Sequence, residues 1–135
     1  MSYSVHVLHS GYSSHPVEGS QETLPFVNAN CSCVLITGSK NVIVDTMTPW
    51  DTTFILDSLR LNKLNPDEIN YVISTHGHSD HTGNNHLFLK AKHIVGFCIS
   101  ERDRYFLHPF DQGITFIFIF VNLKNSNNLA NLLFI

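Results

Sequence analysis

The run Ser74-Thr75-His76-Gly77-His78-Ser79-Asp80-His81-Thr82-Gly83-Asn84 decides how the rest of this chain is read. Three imidazoles and one carboxylate fall within positions 76–81. Neutral imidazole nitrogen and carboxylate oxygen are ligands for zinc and related divalent ions. In an extended loop His76 and His78 point to one side and can share an ion. Asp80 and His81 lie one turn farther on, where the chain bends toward a helix, and face a second ion. Gly77 and Gly83 supply the backbone freedom such a loop needs. The candidate metal ligands are therefore His76, His78, Asp80 and His81.

The segments on either side place this loop. Residues 69–74, Ile-Asn-Tyr-Val-Ile-Ser, read as a strand running directly into it, and residues 83–89 read as a short helix leaving it. A further strand is expected over 93–97. Upstream, Val5 and Val7 mark a first strand over 3–8. The Gly-, Ser-, Pro- and Asn-rich stretch 10–30 reads as loop. Residues 33–37 and 42–44 are short β-branched runs joined by Gly38-Ser39-Lys40-Asn41, the pattern of an antiparallel hairpin. Thr48-Pro49-Trp50-Asp51 opens a helix, capped by Thr48 or Asp51. Its apolar positions are Ile55, Leu59, Leu61 and Leu64, with Arg60 and Lys63 in the last turns. Asn65-Pro66 stops it. Strands first, then strand and helix in alternation, predict an α/β (α+β) sandwich with helices covering a sheet.

Composition narrows the classes. The chain has 135 residues, 43% hydrophobic and 14% charged, with a formal charge of -3. This excludes a multidomain protein, a disordered chain, a coiled coil and a basic nucleic-acid module. Nine histidines against eight Lys plus Arg direct attention to metal chemistry or proton transfer. Cys31, Cys33 and Cys98 are too few and too odd in number for a disulfide framework. Cys31 and Cys33 are expected to share one face of a strand as core residues. The N-terminus has no basic stretch followed by an apolar run, and the apolar run over 114–121 is short of the roughly 20 residues a spanning helix needs. The expectation is a chain of the cytoplasm or nucleus, neither secreted nor held in a membrane.

His-x-His-x-Asp-His after an apolar strand resembles the signature of the metallo-β-lactamase superfamily. Val42-Ile43-Val44-Asp45-Thr46 resembles that family's strand ending in an aspartate, and Pro49-Trp50-Asp51 and Arg104-Tyr105 add to the likeness. The resemblance runs from Asn30 to Gly113. It implies the N-terminal half of an αββα sandwich with a metal site at one edge of its sheets. It implies up to two zinc ions, the first held by His76, His78 and a third histidine, the second by Asp80, His81 and a further one. Asp80 would also orient the nucleophile, and Asp45 would bond to the ligand loop and fix its orientation. Two divalent ions lower the pKa of water and offset charge growing on a carbonyl or phosphoryl oxygen. Within the superfamily the resemblance points to an endoribonuclease acting on histone pre-mRNA 3′ ends, hence to an RNA substrate.

After Gly113 the chain holds no His, Asp or Glu, and Lys124 is its one charge. Residues 1–113 read as the N-terminal part of the domain and 114–135 as a divergent apolar, Asn-rich tail. The tail's Phe, Ile, Asn and Lys share A/T-rich codons, as expected of translated noncoding sequence after aberrant splicing. The family's later ligands would follow the point where the chain changes character, and a homodimer or an association with a full-length partner is a further expectation. Two alternatives to a hydrolase follow: a non-catalytic metal-binding or interaction fragment, and a nonfunctional splice product. His108 is expected in a loop, His86 and His93 at the surface or in packing, and His6, His9 and His15 receive no role.

Overall fold

The computed structural model describes residues 2–14 and 26–106. Nine strands are found among them: β1 Ser4–His9, β2 Tyr12–Ser13, β3 Ala29–Asn30, β4 Cys33–Thr37, β5 Val42–Val44, β6 Tyr71–Ser74, β7 Lys92–Val95, β8 Cys98–Glu101 and β9 Arg104–Tyr105. Two α-helices accompany them, α1 Thr52–Leu61 and α2 Ser79–Thr82. Seven strands form one sheet in the order β1-β4-β5-β6-β7-β8-β9, and β2 pairs with β3 alone. The expected hairpin is present: β4 and β5 run antiparallel, with Leu35 opposite Ile43. β5, β6 and β7 are mutually parallel, so the chain crosses from β5 to β6 through α1. The ends of β5 and β6 lie side by side, and the ligand loop leaves from that edge, where parallel sheets carry their sites.

Alternation along the strands builds two apolar layers. Cys33, Leu35, Ile43 and Val72 face one side and pack with Ile55 and Leu59 of α1, Met47 and Phe88. Val34, Ile36, Val42, Ile73, Ile94 and Ile99 face the other. Strands buried on both faces read as continuous hydrophobic runs, as 33–36 and 42–44 do. Cys31 and Cys33 both lie in the first layer.

Several boundaries differ from the sequence expectation. Within the expected loop 10–30, β2 and β3 form a two-strand ladder pairing Tyr12 with Asn30. Thr48-Pro49-Trp50-Asp51 forms a 3-10 turn before α1, with the Asp51 carboxylate accepting from Thr48 N and Thr48 Oγ1. α1 ends at Leu61, which is 85% exposed. The chain leaves the helical path there because Lys63 takes a left-handed φ of 59° and its N–H turns back to Arg60 O, so Lys63 lies past the last turn.

The expected helix over 83–89 is replaced by α2 four residues earlier and a 3-10 turn at Asn85–Leu87. Asn84 causes the break: its N–H goes to Thr46 Oγ1 at 3.1 Å rather than back along a helix. The strand expected over 93–97 stops at Val95 because Gly96, at φ 57°, makes a two-residue connection into β8. The tail 114–135, and with it the boundary drawn at Gly113, falls outside the described residues, as do His15 and His108.

Candidate metal centre

The loop between β6 and α2 is held by the segment after β5. Asp45 and Met47 take left-handed φ values of 54° and 57°, conformations that cost non-glycine residues energy and cluster at functional sites. The strained turn presses this backbone onto the ligand loop. Thr46 N donates to His81 O at 3.0 Å and Gly83 N donates to Met47 O at 3.0 Å.

Asn84, fully buried, completes the join. Its amide nitrogen donates to Thr46 O and Thr48 O, both at 2.7 Å, and its oxygen accepts from Thr52 Oγ1 at 2.6 Å. Thr46 Oγ1 reaches Asn85 Oδ1 at 2.7 Å, and Asn85 Nδ2 reaches Ser74 Oγ at 3.1 Å. Among the described residues no buried side-chain nitrogen or oxygen lacks a hydrogen-bond partner. A polar network satisfied in this way fixes one geometry of the loop.

Thr75 is the hub of the site. Its N–H donates to Asp45 Oδ1 at 2.8 Å, and its hydroxyl donates to the same carboxylate at 3.0 Å from Oδ2. With that hydrogen committed, Thr75 Oγ1 can only accept from the two imidazole nitrogens beside it, His76 Nδ1 and His81 Nδ1, each at 3.1 Å. His81 Nδ1 also lies 2.9 Å from Asp45 Oδ2. One threonine and one aspartate therefore place hydrogens on the Nδ1 atoms and leave Nε2 of both rings as lone-pair donors. Orientation of an imidazole through its other nitrogen is what metal ligation by histidine requires.

The Nε2 atoms point to useful neighbours. His76 Nε2 lies 3.0 Å from His78 Nδ1. Two nitrogens bound to one tetrahedral zinc-sized ion stand about 3.3 Å apart, so this pair fits a shared ion. His81 Nε2 lies 3.4 Å from Asp80 Oδ2, and the His76 and His81 rings approach to 3.9 Å between centroids. His76, His78, Asp80 and His81 thus lie in one cluster, with the first two exposed and His81 buried. The donor set suits a divalent transition ion. Gly77 and Gly83 divide in role: nothing lies within 4 Å of a Cβ built on Gly77, whereas one on Gly83 meets the backbone of residues 47–49.

Sequence reasoning passed over Thr75, Asn84 and Cys31 as site residues. Cys31 is core, as expected, yet its sulfur also lies within 4.8 Å of ligand atoms of Asp45 and His81. Burial pushes its thiol up to about 12, against a hydrogen bond from the Met47 backbone that lowers it. Cys33 is raised further by deeper burial. Asp51 moves the other way: burial alone would raise it, but donors from Thr48 and Asn30 hold it below the usual carboxylate value. His93 packs by bonding Phe88 O at 3.0 Å. A cavity of about 320 Å³ opens beside the cluster, lined by Tyr12, Ser13, Asn30, Cys31, Asp80 and His81 among others. No helix among the described residues is long and apolar enough to cross a membrane.

The chain resembles several known proteins. The model of the metallo-beta-lactamase superfamily matches residues 27–128. A Xenopus laevis protein named metallo-beta-lactamase domain-containing protein 1 is 38% identical over 115 residues, which is 85% of this chain and 47% of that protein. The Homo sapiens protein of that name is 38% identical over 74 residues, 53% of this chain and 27% of that protein. This chain thus spans less than half the length of either relative. A solved Thermotoga maritima protein assigned to the metallo-beta-lactamases shares the fold, with a TM-score of 0.53 at 22% identity over 67% of this chain and 42% of that one. The family is one of metal-dependent hydrolases on an α/β fold. Matched over most of its length, and carrying the histidine-aspartate loop at the edge of its parallel strands, this chain belongs to the metallo-beta-lactamase superfamily.

Proposed function

We propose that this chain carries the ligand loop of a zinc-dependent hydrolase, with His76 and His78 holding one zinc and Asp80 and His81 a second. The observation that carries this reading is the convergence of His76 Nε2 and His78 Nδ1 at 3.0 Å, with Thr75 placing the hydrogen of the His76 ring on Nδ1. Zinc at such a site supplies Lewis acidity and a lowered pKa for water. The chain's own groups do the positioning. Thr75 and Asp45 hold the imidazoles, and Asp80, beside the cavity, orients the incoming nucleophile. The substrate proposed is RNA, cleaved endonucleolytically in the manner of histone pre-mRNA 3′ ends. A homodimer or a full-length partner in the cytoplasm or nucleus would supply further ligands.

Metal analysis of the purified protein tests the first part. Zinc content is expected to fall by one ion per chain in His76→Ala plus His78→Ala, and unchanged stoichiometry would refute the assignment. Thr75→Val keeps the side-chain shape and removes the hydroxyl. It is expected to weaken zinc binding about 10- to 100-fold, as loss of such supporting groups typically does. Competition against a chromophoric chelator measures this, and an unchanged affinity would show that the hydroxyl does not orient the rings. RNA cleavage that depends on Asp80 supports the hydrolase; zinc bound without any Asp80-dependent cleavage favours a non-catalytic metal-binding protein.

A further inference from the structure

Behind the exposed histidine pair lies a second group of ligand atoms. One atom each from Cys31, Asp45 and His81 fall within 4.8 Å of one another, on residues only 5%, 5% and 9% exposed. We propose that Cys31, Asp45 and His81 form a buried, thiolate-containing site for a soft or borderline divalent cation of the zinc class, distinct from the pair His76 and His78. Sulfur, imidazole and carboxylate together select such an ion over magnesium or calcium, which take all-oxygen sets.

Charge favours occupancy. A thiolate and a carboxylate neutralise a divalent ion, and a buried anion is costly unless paired. On binding, the Cys31 thiol gives its proton to solvent. The Cys31 backbone is also held in place from several sides. Cys31 N–H donates to Asn30 Oδ1 at 3.0 Å, and its carbonyl lies 2.9 Å from His9 Nδ1. Gly11 packs so closely that a Cβ there would fall 2.9 Å from the Cys31 carbonyl carbon. The cavity beside Asp80 and His81 reaches Cys31, which gives an ion a way in.

His81 links the two positions. With hydrogen on Nδ1 it faces Asp45 and leaves Nε2 to the loop. With hydrogen on Nε2, which lies 3.4 Å from Asp80 Oδ2, the lone pair on Nδ1 turns to the inner group. One neutral imidazole serves one position at a time, so the two compete for His81.

Cobalt(II) titration of the purified chain tests this, because thiolate ligation gives an intense near-ultraviolet charge-transfer band that nitrogen and oxygen ligands do not. The band is expected in the wild type and in His76→Ala plus His78→Ala, at one cobalt per chain in the latter. It is expected to vanish when Cys31→Ala or Cys31→Ser is added to that background, while Cys33→Ala and Cys98→Ala retain it. Excess magnesium is expected to leave it unchanged. Absence of the band in the wild type, or its survival in both Cys31 variants, would overturn the proposal. Those outcomes are separate from the zinc stoichiometry that tests the outer pair. Circular dichroism identifies a variant that has not folded, and the serine variant then decides.

Discussion

Asp45→Ala is expected to destabilise the fold by about 3–5 kcal/mol, because it leaves several donors without their acceptor at about 1–3 kcal/mol each. The Asp45 and His81 side chains are 7% and 11% exposed, so water does not replace the lost carboxylate. Three donors would be stranded: Thr75 N–H, the Thr75 hydroxyl and His81 Nδ1. Alanine also sits poorly at a φ of 54°, adding about 1 kcal/mol of backbone strain. Asp45→Asn separates the two contributions. Asparagine tolerates the left-handed region and keeps one accepting oxygen, so its cost is expected to be smaller, about 1–3 kcal/mol. Urea denaturation followed by circular dichroism reads both. An alanine variant within about 1 kcal/mol of wild type would mean that the Asp45 cluster contributes little to the fold.

Gly83→Ala is expected to be the most disruptive small substitution in the loop. Its Cβ would fall 2.5 Å from Pro49 N and 2.6 Å from Thr48 C, with Met47 O closer still. These are backbone atoms, fixed by the Asn84 amide on one side and α1 on the other, so they cannot swing aside as a side-chain tip would. Forced expansion of a packed region costs about 1–3 kcal/mol, and here it also breaks the 3.0 Å bond from Gly83 N to Met47 O. Loss of zinc affinity is expected to accompany the loss of stability, because the same contact sets the height of His81. Gly77→Ala is the control. Nothing lies within 4 Å of its added methyl, and its melting temperature is expected to stay within a few degrees of wild type. A pair of variants that behave alike would show that the approach of residues 47–49 does not constrain the loop.

What the sequence made legible follows from the range of the interactions concerned. The ligand cluster was visible because its members fall within six positions, 76–81, and the hairpin β4–β5 because turn residues and β-branched runs are local signals. Thr75 and Asn84 were not visible as site residues. Their partners Asp45, Thr46 and Thr48 lie 30, 38 and 36 positions away, and nothing in a short polar residue announces which distant group it will bond. The misplaced helix after the loop has the same origin, since Asn84 gives its N–H to Thr46 and not to the helical ladder. Leu61 keeps an i+3 spacing to Leu64 yet is exposed, because two residues past buried Leu59 it lies about 200° around α1, on the outer face. Cys31 was legible as a small core residue. That its sulfur also stands among ligand atoms depends on how the strand edge carries it beside Asp45 and His81, which spacing alone does not encode.

The bonds that seal the loop to the segment after β5 span 30 to 39 positions along the chain. Such contacts repay the entropy of closing a long loop only once both strands are paired. The peptide 74–84 excised from the chain would therefore carry all four candidate ligands and none of their arrangement. In the folding of the whole domain, the histidines gain their geometry after the β5–β6 pairing is made, and a cation that captures the finished geometry holds the sheet beneath it closed by mass action.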